Sequence, residues 1–154
     1  MIVIREATQA DAPILADMRL ALEGEGHSSA PSDPAFRRAV GDWFAANAGG
    51  PSFVGWIVED RNEIVAVGGM VLISRPPYTG NPSGTEGLLT SMYTVPERRG
   101  QGLGGQLLQA MIRDARRRGV GRLNLYSSPG ARSLYERFGF SDDVERGAVM
   151  ARWT

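Results

Sequence analysis

The 154 residues contain no lysine and no cysteine, and histidine occurs once, at His27. Each absence removes a chemistry. A Walker-type phosphate loop relies on its Lys, Schiff-base catalysis needs an amine side chain, and thiol catalysis or a zinc finger needs Cys. One His leaves no two-His metal site, so no metal is expected. The chain has no Gly-x-Ser-x-Gly elbow, which argues against a serine hydrolase. No stretch approaches 18 apolar residues, and no basic amino-terminal region leads into a long apolar run. No membrane partner is expected, and the chain reads as a soluble cytoplasmic protein. All 17 basic residues are Arg, balanced by 17 acidic ones. That neutrality argues against a dedicated nucleic-acid binder.

The pattern that remains is ordered along the chain. Ile2–Ile4 alternates into Arg5 as a short strand. Thr8 and Asp11 have the spacing of a helix capping box, and they open an apolar-periodic run through Ile14, Leu15, Met18 and Leu22. Residues 24–33 lack periodicity. Asp33-Pro34 then reads as a capped first turn, followed by a helix with Phe36, Val40, Trp43, Phe44 and Asn47 on one face that ends at Gly49-Gly50. Phe53–Val58 and Ile64–Ile73 form a hairpin around the turn residues 59–62. A Pro- and Gly-rich loop over 74–84 precedes a strand at Leu88–Val95. From Gly102, Leu103, Leu107, Leu108, Met111, Ile112 and Ala115 repeat at helical spacing as far as Gly119. A strand at Leu123–Tyr126, a short helix at Ala131–Phe138 and a terminal strand at Ala148–Trp153 complete the order β-α-α-β-β-β-α-β-α-β. These elements predict one α/β (α+β) domain over residues 1–154, a mixed, mostly antiparallel sheet flanked by helices, with one parallel crossover.

Arg98-Arg99-Gly100-Gln101-Gly102-Leu103-Gly104-Gly105 lies between a strand and the long amphipathic helix. Glycines there turn backbone amides toward one point, and the helix amino terminus adds unsatisfied N–H groups and positive dipole charge. The segment reads as an anion cradle, the alternative being a tight strand-to-helix turn. Gly100, Gly102 and Gly105 also fit the dinucleotide fingerprint G-x-G-x-x-G. That fit is poor, because four residues intervene after the strand and the next strand ends at Tyr126-Ser127-Ser128 rather than at an acidic ribose ligand. An NADP-dependent reductase with Arg132 on the extra phosphate stays as an alternative.

Read as R-x-x-G-x-G, the segment Arg99, Gly102 and Gly104 resembles the acyl-CoA pyrophosphate loop of the GCN5-related N-acetyltransferase (GNAT) superfamily. The opening Ile4-Arg5-Glu6-Ala7-Thr8 with Asp11 is similar to the family's opening pattern, and Met92-Tyr93-Thr94-Val95-Pro96-Glu97 to its strand before the loop. The late segment Ala131–Phe140, with Leu134-Tyr135 and Gly139-Phe140, resembles its late motif. The resemblance implies an enzyme that transfers an acetyl group from acetyl-CoA directly to a primary amine of a small molecule or peptide. A homodimer is compatible with it.

It also implies roles. Backbone amides of Arg99, Gly100, Gln101, Gly102, Leu103 and Gly104 would hold the CoA pyrophosphate, and the backbone at Met92 and Thr94 would pair with pantetheine. The Met92 amide would polarise the thioester carbonyl, and Ser128 would stand where the family often places an Asn against pantetheine. Tyr135 would assist the departing sulfur, its other reading being core packing. The acceptor amine must lose a proton, and Glu86 is the candidate base, with a solvated loop-edge carboxylate as the alternative; His27 is the substitute. Glu23, Glu25, Asp33, Trp43 and Tyr78 are candidates for receiving the acceptor. Arg113, Arg116, Arg117, Arg118 and Arg122 read mostly as a solvated basic face, with some available to the CoA 3′-phosphate. A non-catalytic acyl-CoA-binding module remains a further alternative.

Overall fold

The computed structural model describes residues 1–26, 30–143 and 150–154. Five strands form one sheet in the order β1-β2-β3-β4-β5, comprising β1 (Ile2–Glu6), β2 (Phe53–Asp60), β3 (Glu63–Ser74), β4 (Thr85–Thr94) and β5 (Arg122–Asn124). The first three pairings are antiparallel. β4 and β5 are parallel, joined through α3 (Leu103–Arg117). The expected mixed sheet is thus observed. The strand expected at Leu88–Val95 begins three residues earlier, and the one expected at Leu123–Tyr126 begins one residue earlier and ends at Asn124. His27 and residues 144–149 lie outside the described residues. Of the terminal strand expected over 148–153, the described part, Met150–Trp153, takes no strand conformation.

Local chemistry accounts for the element ends. The Asp11 carboxylate accepts from the Thr8 N–H at 2.7 Å and the Thr8 hydroxyl at 3.0 Å, ahead of α1 (Ala12–Gly26). The same carboxylate receives Arg5 from β1 at 2.9 Å through both guanidinium nitrogens, so the cap also ties helix to sheet. Asp33 caps α2 (Pro34–Asn47) by accepting from the Ala35 N–H at 2.9 Å, with Pro34 at the first helical position. Arg61 and Asn62 both take positive φ, 52° and 66°, which gives the β2–β3 hairpin a two-residue turn matched to strand twist.

Residues 53–58 are buried on both sheet faces, so side chains alternate between two cores. Val54, Trp56 and Val58 meet Leu107, Leu108 and Met111 of α3. Phe53 and Ile57 meet Leu15 of α1 and Phe44 of α2 on the opposite face. Burying each of these large side chains contributes about 1.5–3 kcal/mol, which holds the helices as fixed walls for whatever occupies the sheet's open end.

That open end arises in β4. Val67 pairs with Tyr93 and Gly69 with Thr90, leaving Gly68 opposite both Ser91 and Met92. This is a β-bulge, with Ser91 at φ 56°. A bulge bends its strand and raises the local twist. β4 pairs with β5 only through Glu86, Gly87 and Leu88.

Candidate active site

The glycine loop leaves β4 through one 3-10 turn at Pro96–Arg98 and enters α3 at Gly102. Gly100 and Gly102 lie at φ 73° and 77°, the left-handed region, and a Cβ on either would meet nothing within 4 Å. These two glycines answer to backbone conformation, and the space above them is open. Gly104 and Gly105 have another reason. A Cβ there would stand 3.4 Å from Leu134 and 3.7 Å from Phe138, so these two form the surface on which α4 (Arg132–Arg137) packs against α3. The excess of glycines over what a turn needs therefore divides between loop geometry and helix packing.

The loop is anchored at its arginines. Arg98 donates to Asp60 at 2.8 Å and to Gln101 at 3.1 Å. Arg99 donates to the Thr94 carbonyl at 2.9 Å, pairs with Glu25 on the last turn of α1, and lies 5.4 Å from the Tyr93 ring centroid. The Arg99 side chain is thus engaged by protein partners, and what the loop offers an anion is its backbone.

A cleft of about 670 Å3 is lined by residues of β4, β5 and α4. Glu86 and Tyr135 both line it. Leu88, two residues along β4, lines it too, as the strand period requires. Glu86 is only 2% exposed and accepts from Arg75 at 3.2 Å, Asn124 at 3.2 Å and the Tyr78 hydroxyl at 2.5 Å. It is a buried, bonded carboxylate rather than a loop-edge one. Buried carboxylates are stable only with such partners. Arg75 and Asn124 were not singled out from the sequence; they belong to a loop and a short strand whose juxtaposition carries no local signal.

Tyr135 packs edge-on against Phe140, with centroids 5.9 Å apart, and burial pushes its phenol above the ordinary value. No fully buried side-chain nitrogen or oxygen among the described residues lacks a partner. The Tyr135 hydroxyl, whose only perturbation is burial, therefore opens on the cleft. Core packing and a place on the cleft wall coexist in this side chain.

The other candidates separate. Ser128 is exposed at the turn before α4, available to a ligand. Glu23 pairs with Arg19 at 2.5 Å, Glu25 with Arg99, and Asp33 is a helix cap. Trp43 packs edge-on to Phe44 and Phe53, each 5.1 Å away between centroids. Tyr78 serves Glu86 directly. Arg132, the candidate for an NADP phosphate, is held by Glu136 at 2.7 Å and Asp142 at 3.0 Å. Arg118 and Arg117 close on buried Asp114, and Arg118 also reaches Glu6 at 2.9 Å. Arg113 starts roughly 15 Å along α3 from its glycine end at 1.5 Å per residue. Among the described residues no group of three or more His, Cys, Asp or Glu could hold a metal, and no helix is long and apolar enough to cross a membrane.

A glycine loop after a bulged strand and a cleft lined by a carboxylate and a phenol make up the candidate site. The family model described as the acetyltransferase (GNAT) family matches residues 16–140, and the chain belongs to that family as an acetyltransferase. No curated protein matches it. Among solved structures, it is similar to a predicted acetyltransferase with acetyl-CoA from Clostridium acetobutylicum, at 28% identity and TM-score 0.83, covering 97% of this chain and 96% of that one. A GCN5-related N-acetyltransferase from Ralstonia eutropha gives 23% identity and TM-score 0.85 over 97% and 99%. A ribosomal-protein-alanine N-acetyltransferase from Brucella melitensis gives 17% and 0.72 over 100% of both chains. The last two carry the fold alone.

Proposed function

We propose that this protein moves an acetyl group from acetyl-CoA to a primary amine of a small molecule or peptide by direct attack in a ternary complex. The observation that carries the reading is that Glu86 and Tyr135 line one cleft. The backbone of residues 99–104 holds the pyrophosphate, the β4 edge at Met92 and Thr94 together with Ser128 receives pantetheine, and the Met92 amide polarises the thioester carbonyl. The amine nitrogen bonds to the acetyl carbon and gives its proton to Glu86, directly or through a water. The carbon–sulfur bond breaks, and the leaving thiolate takes the proton of Tyr135. Positioning and polarisation suffice for such a step, which suits a chain without cysteine or a serine elbow.

Release of free CoA thiol is measured across a panel of primary amines, with wild type and Glu86→Gln compared between pH 6 and 9. The expected result is turnover by wild type and a Glu86→Gln defect that shrinks as pH rises and free amine becomes abundant. Thermal stabilisation by acetyl-CoA without turnover of any amine would replace this reading with a binding module.

A further inference from the structure

The connection between β3 and β4 is folded as a strap behind Glu86. Its ends are closed by the Arg75 N–H donating to the Gly84 carbonyl at 2.9 Å. Gly84 lies at φ 69°, and a Cβ there would stand 2.0 Å from the Arg75 carbonyl oxygen. Inside the strap, Tyr78 and Asn81 form an antiparallel bridge, with the Asn81 N–H donating to the Tyr78 carbonyl at 2.9 Å. Asn81 is 1% exposed. Its amide donates to the Thr85 carbonyl at 3.1 Å and to the Tyr78 hydroxyl at 3.3 Å, and its Oδ1 accepts from the Ser83 hydroxyl at 2.8 Å. The room it occupies is supplied by Gly121, where a Cβ would lie 2.0 Å from Asn81 Oδ1.

A chain of contacts therefore runs from Gly121, in the turn before β5, through Asn81 and Tyr78 to Glu86. A phenol has a single O–H to give. Because the Tyr78 oxygen accepts from Asn81, its own hydrogen is left for Glu86 Oε1 at 2.5 Å. Tyr78 stands outside the cleft lining, and Glu86 stands in it. We propose that Tyr78 is a positioning residue that orients the Glu86 carboxylate toward the acceptor amine, with its own placement set by the fit of Asn81 against Gly121. The proposal rests on the reading of Glu86 as the base and extends it to residues that touch no substrate.

Among the described residues, the charged and titratable groups around Glu86 include Arg75 and Tyr78 from the strap, Arg122 as its register partner on β5, and, on the same cleft, Tyr135, Arg132 and Glu136 of α4 with Asp142 and Asp143 beyond it. Of these, Tyr78 alone can be altered to remove one donor and keep the ring. With an amine that wild type turns over, Tyr78→Phe in the full chain is expected to lower kcat about tenfold and leave the KM for acetyl-CoA unchanged. The acidic limb of the kcat profile should move to higher pH, because the lost bond favoured the carboxylate form. Gly121→Ala, which displaces Asn81, is expected to move the limb the same way. Adding Tyr78→Phe to Glu86→Gln should slow the enzyme no further, and this comparison decides the matter if Gly121→Ala fails to fold. A Tyr78→Phe enzyme with wild-type kcat and an unmoved limb, or one with only a lower melting temperature, overturns the positioning role and leaves acetyl transfer standing. A Glu86→Gln enzyme with a wild-type pH profile removes the base beneath the proposal and overturns both.

Discussion

Arg99 of the glycine loop is held by Glu25 on the last turn of α1, across 74 residues of sequence. The pair ties the segment read as the pyrophosphate cradle to the helix that leads into the α1–α2 connection, so the loop's shape depends on the opposite face of the sheet. Both side chains are nearly half exposed, at 45% and 44%, which limits what the contact contributes.

From that exposure, Glu25→Gln and Arg99→Gln are each expected to weaken acetyl-CoA binding by no more than about fivefold, the equivalent of ~1 kcal/mol. The double variant should be no weaker than the worse single one, because both break one anchor. Calorimetric titration of the three variants checks this. A large loss confined to Arg99→Gln would assign its guanidinium to the phosphates instead.

Gly102→Val places a branched side chain at φ 77° and in the open space above the loop. Acetyl-CoA is expected to raise the melting temperature of wild type and not of this variant, with the far-ultraviolet circular dichroism of the two alike. NADP should shift neither. An undiminished shift in the variant would remove the loop from the cofactor site.

Tyr135→Phe keeps the packing against Phe140 and removes the hydroxyl that opens on the cleft. The expected loss is about 10- to 1,000-fold in kcat with little change in acetyl-CoA affinity. Since burial raises this phenol, it stays protonated through neutral pH, and any alkaline limb it controls should lie above the ordinary tyrosine range and vanish in the variant. Steady-state rates from pH 7 upward test both statements. Equal rates for the two proteins would return Tyr135 to packing alone.

Arg5 and the Thr8 bonds hold the Asp11 carboxyl far below the usual carboxylate range. A group depressed in the folded state stabilises the protein fully above its unfolded value, about 3.9, and loses that contribution as pH falls toward the folded value. Asp11→Asn is expected to cost about 1.5–3 kcal/mol at pH 7 and to flatten the fall in stability below pH 4. Urea midpoints measured from pH 7 to pH 2 for both proteins decide it.

Much of this molecule was legible from neighbours in sequence. Thr8 with Asp11, Asp33 with Pro34, and the 3.6-residue repeat of Leu103 to Ala115 set helix starts and buried faces through contacts within one or two turns. The continuous apolar run Phe53–Val58 did the same for a strand. The glycine loop and Tyr135 could be singled out as candidates because the patterns that mark them lie in short contiguous segments. The same residues say nothing about partners far along the chain. Tertiary structure alone set Arg99 against Glu25, gave Ser91 a positive φ that no sequence rule assigns to serine, and turned Gly104 and Gly105 from loop residues into a packing surface for α4. It also buried Glu86 among Arg75, Tyr78 and Asn124, and fitted Asn81 into the space that Gly121 leaves. A carboxylate's burial and donors depend on which strands become neighbours, and that is decided only when the two cores close on the two faces of the sheet.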